Sequence, residues 1–270
     1  MVPKIHMDVI SIIRLLRWVV FMKTPSFSGI ISLFFVFVKD FTFFTVSGMI
    51  KQKMGGYRME QSMKLFYEKR GQLLVKNLRS RHFDAYYCDT KEAALEKALE
   101  LIPADATVGW GGAISAVQIG LMDAVKEGYK VYDRDTCTTL EDRVKMMKKC
   151  LTADVFLTGA NAISLDGQMV NIDGNGNRVA AIVYGPDSVI VVAGMNKVMD
   201  TLEDAIRRAR TIAAPMNKQR FPDNETPCHV TGTCADCKSP DCICNQILIT
   251  RHCRPAGRIK FIIVGEELGL

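Results

Sequence analysis

Short apolar runs alternate with helical segments along most of the sequence, and this alternation limits the fold more than any other feature. Buried strands are predicted in the runs ATVGWGG, ADVFLTGANAIS, DSVIVVAG and RIKFIIVG, and shorter strands in DAYYC, YKVYD and QILITR. Helices are predicted over residues 64–82, 115–128 and 196–214, among others. Strands that alternate with helices of this length form a mostly parallel sheet with helices on both faces. The predicted fold class is therefore α/β, with a cysteine-rich loop near the C-terminus.

Residues 1–58 differ in composition from the rest of the chain. They hold eight of the 13 Phe, none of the nine Cys, and eight of the 35 Lys and Arg against two of the 29 Asp and Glu. The net charge of +6 therefore lies entirely in this segment, because residues 59–270 are left with 27 basic and 27 acidic side chains. Because residues 59–270 carry no net positive charge, they give no electrostatic reason to expect a nucleic-acid partner.

A membrane anchor and a signal peptide are two interpretations of this leader. Its uninterrupted apolar run, Gly29–Val38, is shorter than the roughly 18–20 residues that span a membrane, and Lys39 and Asp40 follow it directly. The first apolar stretch is broken by Arg14 and Arg17, and no clear small-x-small cleavage site follows, which disfavours a signal peptide. Both interpretations stay open, but neither template is matched well.

An over-extended gene start is the interpretation that the sequence favours. Codons for Gly55 and Gly56 can read as a bacterial ribosome-binding sequence, and their spacing to Met59 suits a start there. The predicted organisation is thus a non-domain hydrophobic leader over residues 1–58 and one domain over residues 59–270. The expected location is cytoplasmic, and a membrane partner is expected only if the leader is part of the protein.

Three polar or glycine-rich turns follow predicted strands: VGWGG (108–112), NIDGNGNR (171–178) and VVAGMNK (191–197). Ligands of open α/β sheets bind outside the carboxyl ends of the strands, so the three turns are expected to share a pocket. Backbone N–H groups of such turns favour anions. Arg178 and Lys197, the latter expected near a helix N-terminus, would add positive charge for a phosphate, carboxylate or CoA-like anion. The alternative for each turn is a tight connection that only packs against the sheet. The candidate ligand-binding residues are Gly109, Gly111, Gly112, Asp173, Asn175, Asn177, Arg178, Asn196 and Lys197.

Four longer stretches, in order along about residues 64–270, resemble the LUD-domain family of lactate-utilisation-type proteins. They read VGWGGAISAVQIGLMDAV, ADVFLTGANAISLDGQMVNIDGNGNRVAAIVYGP, VIVVAGMNKVMDTLEDAIRRARTIAAPMNKQR and IIVGEELG. The resemblance implies the NagB/RpiA/CoA-transferase-like fold of sugar-phosphate isomerases. It also implies a link to the oxidation of L-lactate to pyruvate through an iron–sulfur electron-transfer system. It supplies no catalytic residue, and it does not extend to residues 1–58.

Five of the nine cysteines lie in one stretch, PCHVTGTCADCKSPDCICN (227–245), and disulfides are rare in the cytosol. Cys234 and Cys237 form a C-x2-C pair, the spacing that lets two thiolates reach one metal. The full spacing matches neither common ferredoxin pattern, so an iron–sulfur cluster, zinc, a redox disulfide and idle reduced thiols all stay open. The family resemblance places an iron–sulfur cluster ahead of zinc. Because the family often lacks cysteine at the position of Cys242, it implies the ligand set Cys228, Cys234, Cys237 and Cys244, with Cys242 as a fifth candidate.

Three functions are compatible with these features. The leading one is a LUD-type protein of organic-acid or electron-transfer metabolism, with a small anionic metabolite in the pocket and a cysteine-bound metal. The second is an isomerase or CoA-transferase-type enzyme that acts on a phosphorylated or CoA-linked substrate and holds structural zinc. The third is a non-enzymatic sensor or scaffold subunit whose cysteine loop binds a redox partner protein. No motif identifies a catalytic acid, base or nucleophile, so the catalytic residues stay unknown.

Overall fold

The computed structural model of the chain describes residues 60–221 and 225–270. The leader predicted over residues 1–58, and with it the predicted boundary to the domain, lies outside the described residues. Ser62–Leu270 forms one compact unit. Within the part of the chain that is described, no helix is long and apolar enough to cross a membrane.

The described residues form ten strands in two sheets. The strands are β1 (Asp84–Cys88), β2 (Thr107–Gly111), β3 (Lys130–Tyr132), β4 (Val155–Gly159), β5 (Ala162–Ser164), β6 (Met169–Asp173), β7 (Ser188–Gly194), β8 (Val198–Met199), β9 (Gln246–Thr250) and β10 (Ile259–Val264). The main sheet has the order β1-β10-β7-β4-β2-β3, and all of its neighbouring strands are parallel. The predicted mostly parallel α/β sheet is confirmed.

Nine α-helical segments are present in the described residues, and helices cover the main sheet on both faces. They are α1 (60–80), α2 (Lys91–Glu100), α3 (Ile114–Gln118), α4 (Leu121–Gly128), α5 (Leu140–Lys149), α6 (Asn177–Val183), α7 (Leu202–Arg208), α8 (Ala214–Lys218) and α9 (Pro227–Thr231). Alternate residues of a strand point to opposite faces. In β7, Val189 and Val191 therefore join one hydrophobic core with α1 and α6, whereas Ile190 and Val192 join the other with α2, α3 and α4.

A second, four-stranded sheet was not predicted. Its order is β8-β5-β6-β9, with β5 and β8 parallel and the other neighbours antiparallel. The single strand predicted over 153–164 is two strands of different sheets, because the chain leaves the main sheet after Gly159. At the break, the Asn161 amide N–H donates to the carbonyl of Val170 in β6, so the turn joins the two sheets.

Two of the predicted helices differ from those in the structure: one is split into two, and the other begins later in the chain. The helix predicted over 115–128 is interrupted at Gly120, which has a left-handed backbone (φ 78°) between α3 and α4. The helix predicted over 196–214 begins only at Leu202, because the Thr201 hydroxyl accepts a hydrogen bond from the Asp204 amide (3.1 Å) and caps it. Residues 195–199 instead form one 3-10 turn and β8.

Candidate functional site

Three neighbouring strands of the main sheet, β2, β4 and β7, end at the same edge in Gly111, Gly159 and Gly194. A cavity of about 720 Å³ lies at this edge, lined in part by Gly112, Ala160 and the turn after β6. Ligands of open α/β sheets bind at such an edge. The volume lies in the range of small-molecule and cofactor sites, roughly 300–1,000 Å³.

This cavity, called the large cavity below, contains most of the predicted ligand-binding residues. Those that line it are Gly112, Asp173, Asn175, Asn177, Arg178 and Lys197. Gly109 is not among them: it lies within β2, where an added Cβ would be 3.1 Å from the Cβ and Sγ atoms of Cys150. The missing side chain at Gly109 therefore permits close packing rather than ligand contact.

Gly111 and Asn196 also lie outside the lining of the large cavity. An added Cβ at Gly111 would be 3.0 Å from Phe156 and 3.3 Å from the Cβ of Arg178, so this glycine lets the arginine pack over the end of β2. The Asn196 side chain accepts a hydrogen bond from the amide of Leu268 at 3.0 Å. It thereby holds the segment that follows β10, and both residues frame the site.

Lys197 places a buried amine at the edge of the main sheet. The residue is 4% exposed, and its Nζ donates to the Ser115 hydroxyl at 3.2 Å. Among the described residues, no carboxylate lies within salt-bridge distance of this amine. Burial, and then the positive charges of Arg208 and Arg178, lower the pKa of Lys197 to about 7. The predicted place near a helix N-terminus is wrong, since the residue ends the 3-10 turn before β8.

Arg178 lies in the first turn of α6 and is held by the two sheets. Its side chain is 12% exposed, and its Nε lies 3.5 Å from a carboxylate oxygen of Asp173. Its Nη2 donates to the Asn161 side chain at 3.0 Å and to the carbonyl of Ile172. Within the described residues, Nη1 makes no hydrogen bond, and it lies 3.0 Å from the place that a Cβ of Gly112 would take. The guanidinium is thus fixed by one edge and presents the other to the Gly112 turn.

The sequence did not single out Arg208, although it adds to the charge at this site. It is 6% exposed, and its Nε and Nη1 donate to the carbonyls of Asn196 (3.0 Å) and Asn161 (2.5 Å). Arg207 and Arg210 flank it in α7 and the π-helical turn that follows, and such a run of arginines is typical of a solvated helix face. No sequence signal distinguishes the buried arginine from its neighbours.

Basic residues outnumber their acidic side-chain partners at the Lys197 end of the large cavity. Asp173 is the one acidic side chain among the described residues that is paired with Arg178, Lys197 or Arg208. At the other end, Lys126 pairs with Asp133 at 2.9 Å, and Arg143 pairs with Asp135 at 3.1 Å. An anion is therefore attracted to the Lys197 end.

The turn after β6 connects the large cavity with the cysteine loop. The Asp173 carboxylate accepts hydrogen bonds from the amides of Asn175 and Gly176, both at 3.2 Å, and so fixes the turn. An added Cβ at Gly174 would be 3.3 Å from Ile243 Cα, and the Asn245 side chain donates to the carbonyl of Gly174 at 3.0 Å. Any side chain at position 174 would separate the turn from the loop.

The five loop cysteines converge on a second, small cavity of about 70 Å³. We call it the cysteine cavity; its lining includes Cys228, Cys234, Cys237, Cys242 and Cys244. All nine cysteines of the chain are free thiols. Three residues line both cavities and form the wall between them: Ile172, Cys242 and Ile243.

The thiols of the cysteine cavity are close enough to act on each other. Burial, and then the charges of Cys242, Cys228 and Cys234, raise the pKa of Cys244 to about 12. Lys218 also lines this cavity and would offset thiolate charge, whereas Arg210, another lining residue, is paired with Asp236. The donor chemistry fits a thiolate-bound metal. The positions of these side chains do not form a metal site in this structure, because in residues 60–221 and 225–270 no three His, Cys, Asp or Glu side chains are arranged to hold one ion.

Comparison with protein families matches residues 71–264 to the LUD domain. No curated protein matches the sequence. The crystal structure of a DUF162 family protein from Deinococcus radiodurans is similar, with 13% identity and a TM-score of 0.43 over 73% of this chain and 97% of that one. Ribose 5-phosphate isomerase A from Neisseria gonorrhoeae shares 20% identity over 42% of this chain and 54% of its own, with a TM-score of 0.28. Ribose 5-phosphate isomerase A from Methanocaldococcus jannaschii shares 16% identity over 42% of this chain and 55% of its own, with a TM-score of 0.27.

Proposed function

This chain belongs to the LUD domain family, as its match over residues 71–264 shows, and from that premise we propose that it binds a small organic anion in the large cavity. The ligand class is that of 2-hydroxy and 2-oxo acids, in keeping with the lactate-utilisation-type role of the family. The resemblance found in the motifs is confirmed at the level of the family.

The observation that carries this proposal is the cluster of three basic residues withdrawn from solvent, Arg178, Lys197 and Arg208, whose one acidic side-chain partner among the described residues is Asp173. Burying a cation without a partner costs several kcal/mol, so a carboxylate that enters beside Lys197 would relieve this cost. Arg178 would supply a second contact, because its Nη1 makes no hydrogen bond among the described residues. A carboxylate that meets both groups would gain charge-assisted hydrogen bonds.

We propose the cysteine loop as the second part of this function. The thiolates of Cys228, Cys234, Cys237 and Cys244 would hold a metal centre, with Cys242 in the wall toward the large cavity. An iron–sulfur cluster bound there would supply one-electron transfer, whereas zinc would supply structure only. The support is that all five thiols line one cavity that shares a wall with the large cavity.

Two measurements on the full chain, purified without oxygen, test the proposal. Isothermal titration calorimetry with L-lactate and pyruvate should show binding, and Arg178→Ala should weaken it by about 1.5–3 kcal/mol, the value of one charge-assisted hydrogen bond. Metal analysis and a visible absorption spectrum should show iron with a broad band. Absence of binding for every organic acid would refute the anion site, and a colourless protein that contains zinc would refute the cluster.

A second candidate function is favoured by the volume of the large cavity. At about 720 Å³, it would accommodate a ligand much larger than lactate, such as a phosphorylated or CoA-linked substrate of an isomerase or transferase. The same calorimetry with ribose 5-phosphate and with coenzyme A separates the two functions. If either compound binds more tightly than both organic acids do, the isomerase or transferase function is favoured. A sensor or scaffold subunit would show no turnover with any of these compounds.

A further inference from the structure

Lys197 differs in its contacts from two other lysines that are largely withdrawn from solvent. Lys218 donates to the carbonyl of Asp241 at 2.5 Å, and Lys260 donates to the carbonyl of Gly257 and the hydroxyl of Ser188, both at 2.9 Å. Lys197 has the Ser115 hydroxyl at 3.2 Å as its hydrogen-bond partner among the described residues, and it lines the large cavity. Its amine therefore keeps bonding capacity that no structural contact uses.

The surroundings of Lys197 favour the neutral amine. Its burial and two neighbouring guanidinium groups lower its pKa to about 7, so that near neutral pH a large fraction is unprotonated. An unprotonated lysine that is shielded from water is a nucleophile toward carbonyl carbon, and lysines of this kind form Schiff bases with carbonyl substrates. A lysine that only anchored an anion would need no such environment.

Arg178 and Lys197 flank the same turn. The carbonyl oxygen of Gly112 and the Nζ of Lys197 lie 3.5 and 3.9 Å from the place that a Cβ of Gly159 would take. Nη1 of Arg178 lies 3.0 Å from the place that a Cβ of Gly112 would take, so both basic groups lie near this turn. A short molecule with a carboxylate next to a carbonyl could thus meet the guanidinium with one group and the amine with the other.

We propose that Lys197 forms an imine with the carbonyl carbon of a 2-oxo acid whose carboxylate is bound by Arg178. This deepens the proposed function and rests on its anion site. The amine lone pair adds to the C2 carbonyl carbon, the carbonyl oxygen takes up the two protons that the amine nitrogen loses and leaves as water, and a C=N bond remains. No electrons are gained or lost, so the step needs no metal or redox cofactor. The Ser115 hydroxyl lies within reach of the amine and positions it.

The test is reductive trapping of the full chain with pyruvate. Sodium borohydride reduces an imine to a stable secondary amine, so the protein should gain the mass of one pyruvic acid molecule less one oxygen atom. Peptide mapping should locate this adduct at Lys197, while the peptide with Lys218 stays unmodified. Trapping should increase as the pH rises through 7, since more amine is unprotonated.

Lys197→Arg is the matched variant, because it keeps a cation but removes the nucleophile, and trapping should fall by at least about tenfold. Lys260→Arg, outside both cavities, should be trapped like the wild type. Calorimetry with pyruvate on the wild type runs in parallel, so that the two proposals can fail separately. Binding of pyruvate without an adduct at Lys197 would overturn the imine and leave the anion site standing. No binding and no adduct would overturn both, and adducts spread over several lysines would overturn the imine as well.

Discussion

Replacing Lys197 with methionine should make the protein more stable at neutral pH. The pKa of this lysine falls from 10.5 to about 7 on folding, which corresponds to about 5 kcal/mol of stability that the buried charge costs below pH 7. Methionine removes this cost and keeps the length of the side chain. It also removes the hydrogen bond to Ser115, worth about 1 kcal/mol. The net gain at pH 7 or below is therefore roughly 4 kcal/mol.

The sign of this effect should change with pH. Between pH 7 and 10.5 the unfolded chain binds more protons at this residue than the folded chain, so the wild type gains stability as the pH rises. The advantage of Lys197→Met should shrink accordingly, vanish near about pH 10, and become a disadvantage of about 1 kcal/mol above pH 10.5, where only the lost hydrogen bond remains. Urea unfolding of both proteins at several pH values from 6 to 10 measures this difference.

The matched control is Lys218→Met. Lys218 is fully buried but donates to the carbonyl of Asp241, so its replacement should lower the free energy of unfolding at pH 7. If the stabilities of Lys197→Met and the wild type changed in parallel from pH 6 to 10, the amine would have the same charge in both states of the chain. That result would refute the reasoning about its burial.

Three further predictions concern the two cavities. Arg178→Ala should weaken anion binding and should also lower the midpoint of thermal unfolding, because the side chain is bonded to Asp173, Asn161 and Ile172. A loss of binding without any shift of the midpoint would contradict this prediction. Gly269→Ala should abolish anion binding, since its Cβ would lie 2.6 Å from Nζ of Lys197, whereas Gly232→Ala, with the same left-handed backbone but no atom within 4 Å, should cost stability alone; equal binding by both variants would show that the contact is unimportant. Replacing Cys228, Cys234, Cys237 or Cys244 singly with Ser should remove most of the metal, whereas Cys242→Ser should remove little. Metal analysis of the five variants measures this, and equal losses at all five would refute the ligand set.

The main sheet could be predicted because its central strands are buried on both faces. Such strands read as continuous apolar runs, as in VIVVAG of β7 and FIIV of β10. The second sheet could not be predicted in the same way. Its strands β5 and β8 have three and two residues, and β5 follows β4 after only two residues, so the break between the sheets depends on pairing with β6.

Among the predicted site residues, the polar ones could be assigned from the sequence more reliably than the glycines. Polar residues such as Asp173 and Asn175 were placed in the site because they contribute little to a hydrophobic core, and both line the large cavity. Glycine is ambiguous, because it serves a ligand or a close contact equally well. Gly112 lines the large cavity, whereas Gly109 makes room for Cys150, and nothing in the sequence VGWGG distinguishes these two roles.

The charge at the site shows most clearly what composition cannot reveal. Residues 59–270 have no net charge, which gives no reason to expect a large polyanionic partner but says nothing about a local excess. The folded chain pairs Lys126 and Arg143 with aspartates, and it buries Lys197 and Arg208, neither of which has an acidic side-chain partner among the described residues. Interactions between charges depend on distance and on shielding by water, so a few buried cations can outweigh many exposed pairs. An anion bound beside Lys197 would therefore respond to this buried pair of cations, not to the zero sum of the domain.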